Sequence, residues 1–311
     1  MGRVGAVQQT SRQHLVSQVI LKAFTEPGPR GSGCRLLPFD LRYPERRHKL
    51  QTTRACGWVE DFVAFDSEAA EDLWGSIERK VPAALAAVHA GVPFADPDHA
   101  SVLRDLVVLH FVRSLHYREV HVSAFAKVRA ELRSSLVQIY GKQLHHEALR
   151  ETGLHLTGRR TLGAYAELLI DRSQTVRDHE SGKLFRTSVE STFRKVQAQA
   201  STWQVEIHTP ASGKFLIGDN PAVTLNQSSG VTEWGMPFGD ATSMVLPIGP
   251  QHLVALGPRN RAGTLSAAEV EALNTVQVYA ARRYVYMHPC SGLEAFVTQA
   301  ARERPSTQVQ G

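Results

Sequence analysis

The sequence predicts an α+β fold, with a mainly helical N-terminal two thirds and a strand-rich, mainly antiparallel C-terminal part. Three observations support this class. Apolar residues recur at helical spacing over most of residues 12–200. From residue 201 onward, short apolar runs alternate with Gly, Pro and Asn, as in strands joined by turns. No internal repeat and no low-complexity tract interrupts the 311 residues, so a repeat architecture is excluded.

The predicted helices of the first part have apolar residues three and four positions apart. They cover residues 11–24, 66–89, 98–140 with a bend near 115, and most of 141–200 with breaks near 153, 158 and 182. The Pro- and Gly-rich segment 26–33 ends the first helix, and Gly91 with Pro93 ends the second. Two short strands, 34–39 and 57–65, are expected on either side of a basic loop.

The predicted strands of the second part are short apolar runs bounded by turn residues. They are 203–207, 214–217, 222–225, 243–246, 252–256 and 283–288. Ser266 and Glu269 have the spacing of a capping box, which predicts a helix from there to about residue 282. The chain then divides into a flexible N-terminus (1–11), a basic N-terminal segment with the helical region (12–200), a strand-rich region completing the same domain (201–290), and a C-terminal helix with a loose tail (291–311).

Composition excludes several classes of protein. No apolar run approaches the ~18 residues that a membrane-spanning helix needs. The polar N-terminus has no apolar core of a secretory signal. The three cysteines are far apart and form no CxxC pair, which argues against a disulfide framework or a zinc ribbon. We therefore expect a cytoplasmic protein that does not contact a membrane, with cysteines kept reduced.

Positive charge is concentrated at the N-terminus. Residues 1–54 contain ten Lys and Arg against three Asp and Glu, whereas the formal net charge of the whole chain is +5. A basic segment beside a near-neutral body can bind phosphate groups or nucleic acid. The alternative is that this segment is a solvated loop.

Two polar residues of the predicted first helix lie one turn apart. His14 and Gln18 have the spacing i and i+4, which places them on one helix face. His14 could act as a base, a metal ligand or a phosphate donor, with Gln18 orienting it. The alternative is a polar face in contact with solvent, or a core histidine with satisfied hydrogen bonds.

A carboxylate lies within the apolar stripe of the predicted second helix. Glu78 is flanked at helical spacing by Trp74 and Val81, and a buried carboxylate must be paired, bound to metal or neutral. On the third helix, Arg113 lies on one face with His110 and Tyr117. The planar guanidinium of Arg113 suits a carboxylate, so Arg113 is the expected partner of Glu78, in a catalytic cluster or in a structural ion pair.

The segment 215–226 (FLIGDNPAVTLN) has two apolar strands around a tight turn. Asp219 and Asn220 favour turns because their side chains bond to nearby backbone, and Pro221 fixes the next dihedral angle. A turn requires no more than this. An Asp held between two buried strands can also direct its carboxylate into a cleft.

Taken in order, these segments resemble the bacterial domain-of-unknown-function family 4238. The resemblance spans roughly residues 12–285. The matching stretches are His14 to Phe24 (HLVSQVILKAF), Ile77 to Leu85 (IERKVPAAL), Leu109 to Arg113 (LHFVR), Ile217 to Val223 (IGDNPAV) and Leu246 to Pro250 (LPIGP). Asn274 falls where a late helix of the family carries an Asn. The family has no settled activity, so the resemblance strengthens the choice of residues and leaves the reaction open.

The sequence departs from the family pattern at three positions. Ser17 stands where the pattern has Pro, His110 where it has Gln, and Gly218 where Ser is usual. The role of His110 therefore need not match the role of the family's Gln.

The function that these residues favour is an intracellular hydrolase acting on a phosphate-containing substrate, a nucleic acid or a nucleotide. The expected catalytic residues are His14, Glu78 and Asp219, which would also be the ligands if a divalent metal (Mn, Zn or Mg) is bound. The expected substrate-binding residues are Gln18, Arg113, Asn220, His110, Tyr117 and Asn274.

Two alternatives remain open. The protein could bind nucleic acid through residues 1–54 without catalysis, or it could be a regulatory or defence protein of the toxin–antitoxin kind. Walker A, GxGxxG, HExxH and GxSxG patterns are missing, which disfavours the corresponding nucleotide, dinucleotide, zincin and serine-hydrolase chemistries. The sequence leaves the oligomeric state open.

Overall fold

The computed structural model describes residues 12–28, 33–226 and 232–305. The predicted flexible N-terminus, 1–11, and most of the predicted tail, 306–311, lie outside the described residues. The fold is α+β, with 52% helix and 19% strand, and most helices lie in the first two thirds of the chain. The predicted fold class is confirmed. No helix in the described part of the chain is long and apolar enough to span a membrane.

The helices run along most of the first two hundred residues and return near the C-terminus. In chain order they are α1 Gln18–Ala23, α2 Ser67–Glu78, α3 Val81–His89, α4 Pro97–Val112, α5 Leu115–Thr152, α6 Arg159–Asp171, α7 Gln174–Glu180, α8 Lys183–Ala200, α9 Ala267–Ala280 and α10 Glu294–Glu303. The predicted capping box is confirmed at the start of α9, where the Ser266 hydroxyl accepts a hydrogen bond from the Glu269 backbone N–H.

The strands group near the N-terminus and after residue 203. In chain order they are β1 Arg12–His14, β2 Glu26–Pro27, β3 Cys34–Asp40, β4 Gln51–Thr52, β5 Trp58–Glu60, β6 Gln204–Pro210, β7 Ile217–Gly218, β8 Val223–Asn226, β9 Glu233–Trp234, β10 Ser243–Gly249, β11 His252–Gly257, β12 Arg261–Leu265 and β13 Tyr284–Met287.

A six-stranded sheet has the order β12-β6-β11-β10-β8-β9 and is antiparallel except for the parallel β12–β6 pair. A smaller sheet has the order β2-β3-β13-β7, with β4 also paired to β3. In this sheet an N-terminal strand pairs with the last strand of the chain, with Tyr284 opposite Asp40 and Met287 opposite Leu37. β1 and β5 form a separate antiparallel ladder.

The six-stranded sheet lies between two apolar layers. Side chains alternate along β11, so Val254 and Leu256 enter the main core with α4, whereas Leu253 and Ala255 enter a second core. α9 contributes Val276 to that second core. The main core also contains residues of α1, α2, α3 and α8, so it joins the helical part to the sheet.

The predicted first helix, 11–24, is wrong over its first half. Residues 12–14 form β1, and the helix begins only at Gln18. The backbone N–H groups of Leu15 and Val16 both donate to the carbonyl of Gly57, at 2.7 and 3.2 Å. This contact with a segment far along the chain replaces the hydrogen bonds of a helical turn.

Two other predicted helices are interrupted. The helix predicted over 66–89 is two helices, because Pro82 lies in the first turn of α3, where its missing N–H costs nothing. The helix predicted over 98–140 divides close to its predicted bend near 115, because α4 ends at Val112 and Ser114 caps a new helix by accepting the Tyr117 N–H at 3.1 Å. α5 continues past the predicted end, and Tyr140 has non-helical angles there.

Candidate functional site

An ion pair joins the end of α2 to the break between α4 and α5. Arg113 lies at the C-terminal boundary of α4, and its Nη2 donates to Glu78 Oε1 at 2.7 Å. The same Nη2 donates to Ser17 Oγ at 2.8 Å, and the Ser17 hydroxyl donates to Glu78 Oε1. The Arg113 side chain is 3% exposed and that of Glu78 is 31% exposed. The predicted Glu78–Arg113 pair is therefore present, and it reaches solvent on the Glu78 side.

His110 completes this network from within α4. Its Nε2 accepts the backbone N–H of Ser17 at 3.1 Å, so its Nδ1 carries the proton and donates to the Leu106 carbonyl at 2.8 Å. Complete burial and the nearby Arg113 charge lower the pKa of His110 to about 3. His110 is thus a neutral residue that holds the start of α1 in place.

Two of the three departures from the family pattern meet in this contact. Ser17 supplies the N–H that His110 accepts, and a Pro at position 17 would have no N–H to supply. The third departure, Gly218, has a steric reason. A Cβ at this position would lie 3.0 Å from the carbonyl oxygen of Gln277 in α9, closer than ordinary contact.

Three further polar side chains surround the ion pair. The Arg113 guanidinium lies 5.0 Å from the centre of the Trp74 ring. The charges of Arg113 and Glu78 both change the pKa of His14, which lies at the end of β1. The same two charges change the pKa of Glu71 in α2. We refer to His14, Glu71, Trp74, Glu78 and Arg113 as the Arg113 cluster.

The Arg113 cluster contains four buried polar atoms without a hydrogen-bond partner among the described residues. They are His14 Nε2, Glu71 Oε1, Trp74 Nε1 and Arg113 Nε. A buried polar atom without a partner costs about 1–3 kcal/mol, so these four atoms are the ones in the cluster that could still form hydrogen bonds.

The two carboxyl groups of the cluster have opposite electrostatic environments. Burial raises the pKa of Glu71, against the lowering effect of the Arg113 charge. For Glu78, the charge of Arg113 and the hydrogen bonds from Ser17 and Arg113 outweigh burial and lower the pKa. Burial and the Arg113 charge also lower the pKa of His14. The cluster therefore combines an ionised carboxylate, a carboxyl that retains its proton to higher pH and a neutral imidazole.

Asp219 does not join this cluster through any contact found in the described residues. Its carboxylate accepts the backbone N–H groups of Arg282, Arg283 and Tyr284 at 2.6, 2.9 and 2.9 Å. Burial raises the pKa of Asp219, and these three donors act in the opposite direction. The sequence suggested a carboxylate directed into a cleft, whereas the structure gives one that fixes the entry into β13.

The hydrogen bonds of the remaining predicted binding residues go to backbone groups or to side chains of other helices. Gln18 donates to the Thr53 carbonyl at 2.7 Å, and it does not share a helix face with His14. Asn220 donates to the Ala280 carbonyl at 3.3 Å. Asn274 accepts the Leu216 N–H and donates to the Lys214 carbonyl. The Tyr117 hydroxyl lies 2.8 Å from the Ser188 hydroxyl and donates to the Thr192 hydroxyl at 2.7 Å.

The expected metal ligands do not form a group. Within the described residues, the set of His, Cys, Asp and Glu atoms close enough to share an ion is Glu26, His288 and Cys290. His14, Glu78 and Asp219 are not in it, so the structure does not fit a metal held by those three residues.

A cavity of about 690 Å³ lies beside α2, between that helix, α4 and α8. Arg79, Lys80 and Arg194 line it together with Asp105, whose pKa is raised by burial. Asp98 also lines the cavity, so three cations face two carboxyl groups and the formal charge of the lining is +1, which favours an anionic group.

Sequence reasoning missed Glu71 and Ser17. A signal for Glu71 existed, because it precedes Glu78 by seven residues and therefore lies on the same helix face two turns earlier. Ser17 was noted only as a departure from the family pattern. Its contacts with Glu78, His110 and Arg113 depend on three separate helices meeting, which no local pattern reveals.

Comparison with known proteins places the chain in a family. A family model described as "Protein of unknown function (DUF4238)" matches residues 12–291, so the chain belongs to this family. No curated protein and no solved structure matches the chain.

Proposed function

We propose that this family member is a hydrolase that cleaves a phosphate-containing substrate, a nucleotide or a nucleic acid, at the Arg113 cluster. The observation that carries the proposal is the set of four buried polar atoms without partners: His14 Nε2, Glu71 Oε1, Trp74 Nε1 and Arg113 Nε. A bound substrate would supply the missing hydrogen bonds.

The chemistry of the four atoms suits a phosphate. Trp74 Nε1 and Arg113 Nε can only donate hydrogen bonds, and phosphate oxygens only accept them when ionised. The Glu78 carboxylate holds Arg113 through Nη2, which leaves Nε available. Glu78 is thus a positioning residue that fixes the guanidinium.

His14 and Glu71 can divide the proton transfers of hydrolysis. A lowered pKa keeps His14 neutral, so its imidazole accepts a proton from the attacking water. Burial raises the pKa of Glu71, so its carboxyl keeps its proton to a higher pH than a free glutamate and would be the group that gives a proton to the leaving oxygen. The water oxygen bonds to phosphorus as the bond from phosphorus to the leaving oxygen breaks. Protons and charges balance over the step.

The cations Arg79, Lys80 and Arg194 outnumber the carboxyl groups Asp98 and Asp105 around the cavity beside α2, which favours an anion there, and no residue of the Arg113 cluster lines this cavity. The three cations line the cavity next to the helix that carries Glu71, Trp74 and Glu78. Cations around a cavity raise the local concentration of anions.

The test is hydrolysis of bis(p-nitrophenyl) phosphate, p-nitrophenyl phosphate, nucleotides and RNA by the full chain. We expect His14→Gln and Glu71→Gln each to lower kcat by about 100-fold or more, the usual contribution of a general base or acid. The matched control is His146→Gln, because His146 is an exposed histidine on α5. Circular dichroism must show that each variant is folded.

A second measurement, of ligand binding, tests the proposal even when none of these compounds is the substrate. Phosphate and vanadate should raise the unfolding midpoint of the wild type and not that of Trp74→Phe, which removes one donor. No hydrolysis of any substrate together with no shift of the midpoint would overturn the proposal.

A non-catalytic nucleic-acid-binding protein is the second candidate, favoured by the exposed cations Arg46, Arg47, Lys49 and Arg54. It predicts that log Kd varies linearly with log salt concentration. Replacing Lys49 and Arg54 by Ala should reduce that slope by about 1–2. His14→Gln should leave both affinity and slope unchanged, which separates this function from the first.

A further inference from the structure

Three potential metal ligands meet where the N-terminal and C-terminal strands of the smaller sheet approach each other. Glu26 lies in β2, and His288 and Cys290 follow β13 directly. Their carboxylate oxygen, imidazole nitrogen and sulfur atoms all lie within 4.8 Å of one another. This group is separate from the Arg113 cluster and shares no residue with it.

The three residues contact each other directly. The Cys290 thiol donates to Glu26 Oε2 at 2.9 Å, and the Cys290 backbone N–H donates to His288 Nδ1 at 3.1 Å. Because the thiol donates the hydrogen bond to Glu26, its sulfur carries a proton.

We propose that Glu26, His288 and Cys290 form a binding site for a borderline-soft divalent cation, Zn²⁺ in the first instance. Thiolate, imidazole and carboxylate are the ligands that Zn²⁺ uses in proteins, and three protein ligands leave a fourth tetrahedral position for water. Hard ions such as Mg²⁺ and Ca²⁺ prefer all-oxygen sites and are disfavoured by the sulfur.

Binding replaces a proton by the metal. The S–H bond of Cys290 breaks, a Zn–S bond forms, and the proton passes to the solvent, so each ion bound releases one proton. The lone pair of His288 Nδ1 turns from the Cys290 N–H to the metal, so that hydrogen bond breaks as the Zn–N bond forms. The thiolate and the Glu26 carboxylate together neutralise the two charges of Zn²⁺. The nearby Lys214, whose Nζ donates to the Cys290 carbonyl at 2.6 Å, therefore faces a neutral complex.

A metal here would connect distant parts of the chain. Glu26 and Cys290 are 264 positions apart, and the thiol hydrogen bond joins their side chains. Because the unfolded chain cannot hold the three ligands together, Zn²⁺ should bind the folded protein and raise its unfolding midpoint.

The experiment is an anaerobic titration of the chelator-treated full chain with Co²⁺, followed by visible and near-ultraviolet absorption. We expect one equivalent to produce a thiolate-to-cobalt charge-transfer band and the strong d–d bands of four-coordinate cobalt. One equivalent of Zn²⁺ should abolish both sets of bands. In a weakly buffered sample with a pH indicator, Zn²⁺ should release one proton per ion.

Variants assign the ligands. Cys290→Ser should abolish the charge-transfer band, and His288→Ala and Glu26→Gln should each weaken binding by at least about 10–100-fold, the range known for residues that support metal ligands. Cys34→Ser is the matched control, because Cys34 is a second exposed thiol outside the group, and it should keep the band. The circular dichroism of the metal-free variants should equal that of the wild type.

Two results would overturn the proposal. One is a wild-type spectrum that stays that of hydrated Co²⁺ with no proton release on addition of Zn²⁺. The other is a charge-transfer band that survives in a folded Cys290→Ser variant, because the metal would then bind at a different thiol.

Discussion

Replacing His110 by Gln should remove a pH-dependent loss of stability from this protein. His110 is completely buried, its Nε2 accepts the Ser17 N–H, and its pKa is about 3 in the folded state. In the unfolded chain a histidine titrates near 6.5. Between these two pKa values the unfolded state binds a proton that the folded state does not.

The sign and size follow from proton linkage. The stability contributed by neutral His110 is fully present above about pH 6.5 and is lost as the pH falls toward the folded pKa. The slope is about 1.4 kcal/mol per pH unit, so the free energy of unfolding should fall by about 2 kcal/mol between pH 7 and pH 5 on account of His110 alone.

Urea unfolding of the wild type and of His110→Gln at several pH values between about 7 and 5 measures this difference. Gln does not titrate, and its amide can accept the Ser17 N–H and donate to the Leu106 carbonyl. The gap in unfolding free energy between the two proteins should therefore move by about 2 kcal/mol in favour of the variant as the pH falls. Contributions of other titrating groups cancel in this comparison.

His146→Gln is the control, because it removes an exposed histidine and should leave the pH dependence of the wild type unchanged. Parallel curves for wild type and His110→Gln would refute the reasoning. They would mean that His110 gains its proton in the folded protein at the same pH as in the unfolded chain.

Two further predictions concern buried hydrogen bonds. Asp219→Asn should lower the free energy of unfolding by about 3 kcal/mol, because an amide offers one oxygen to the three N–H groups that both carboxylate oxygens accept. Ser17→Pro should destabilise the wild type because it removes both the N–H donor to His110 Nε2, at about 1–3 kcal/mol, and the hydroxyl that bonds to Glu78 and Arg113. The total should be smaller in the His110→Gln background, which has no imidazole nitrogen left without a donor. Urea unfolding at neutral pH measures both.

Each of these predictions has a contrary outcome. An unchanged midpoint for Asp219→Asn would show that the free-energy cost of burying the carboxylate equals the stabilisation from its three hydrogen bonds. An equal cost of Ser17→Pro in both backgrounds would show that the N–H of residue 17 and the side chain at 110 are energetically independent.

Features that depend on residue spacing within one helix could be predicted from the sequence. The capping box of Ser266 and Glu269 begins α9 as predicted, because both residues lie within one helical turn. The Glu78–Arg113 pair was also predictable, since a carboxylate on an apolar stripe requires a cation and Arg113 lies on the matching face of the neighbouring helix.

The structural features that could not be predicted depend on hydrogen bonds to residues far along the chain. His14 follows helical spacing in the sequence, yet its neighbours Leu15 and Val16 bond to Gly57, so the segment is extended. Asp219 has the turn signature expected of it, but its carboxylate binds backbone groups of residues 282–284, more than sixty positions later. Hydrophobic periodicity contains no information about either contact.

The pairing of β3 with β13 has a consequence for biosynthesis. Asp40 and Arg283, which form an ion pair where these strands meet, are 243 positions apart. At a synthesis rate of about 5–20 residues per second, β3 leaves the ribosome roughly 12–50 s before its partner exists. During this interval the edge of an apolar strand, with Leu36, Leu37 and Phe39, is open to other chains. The synthesis of β13, and not that of β3, therefore determines when the smaller sheet can form.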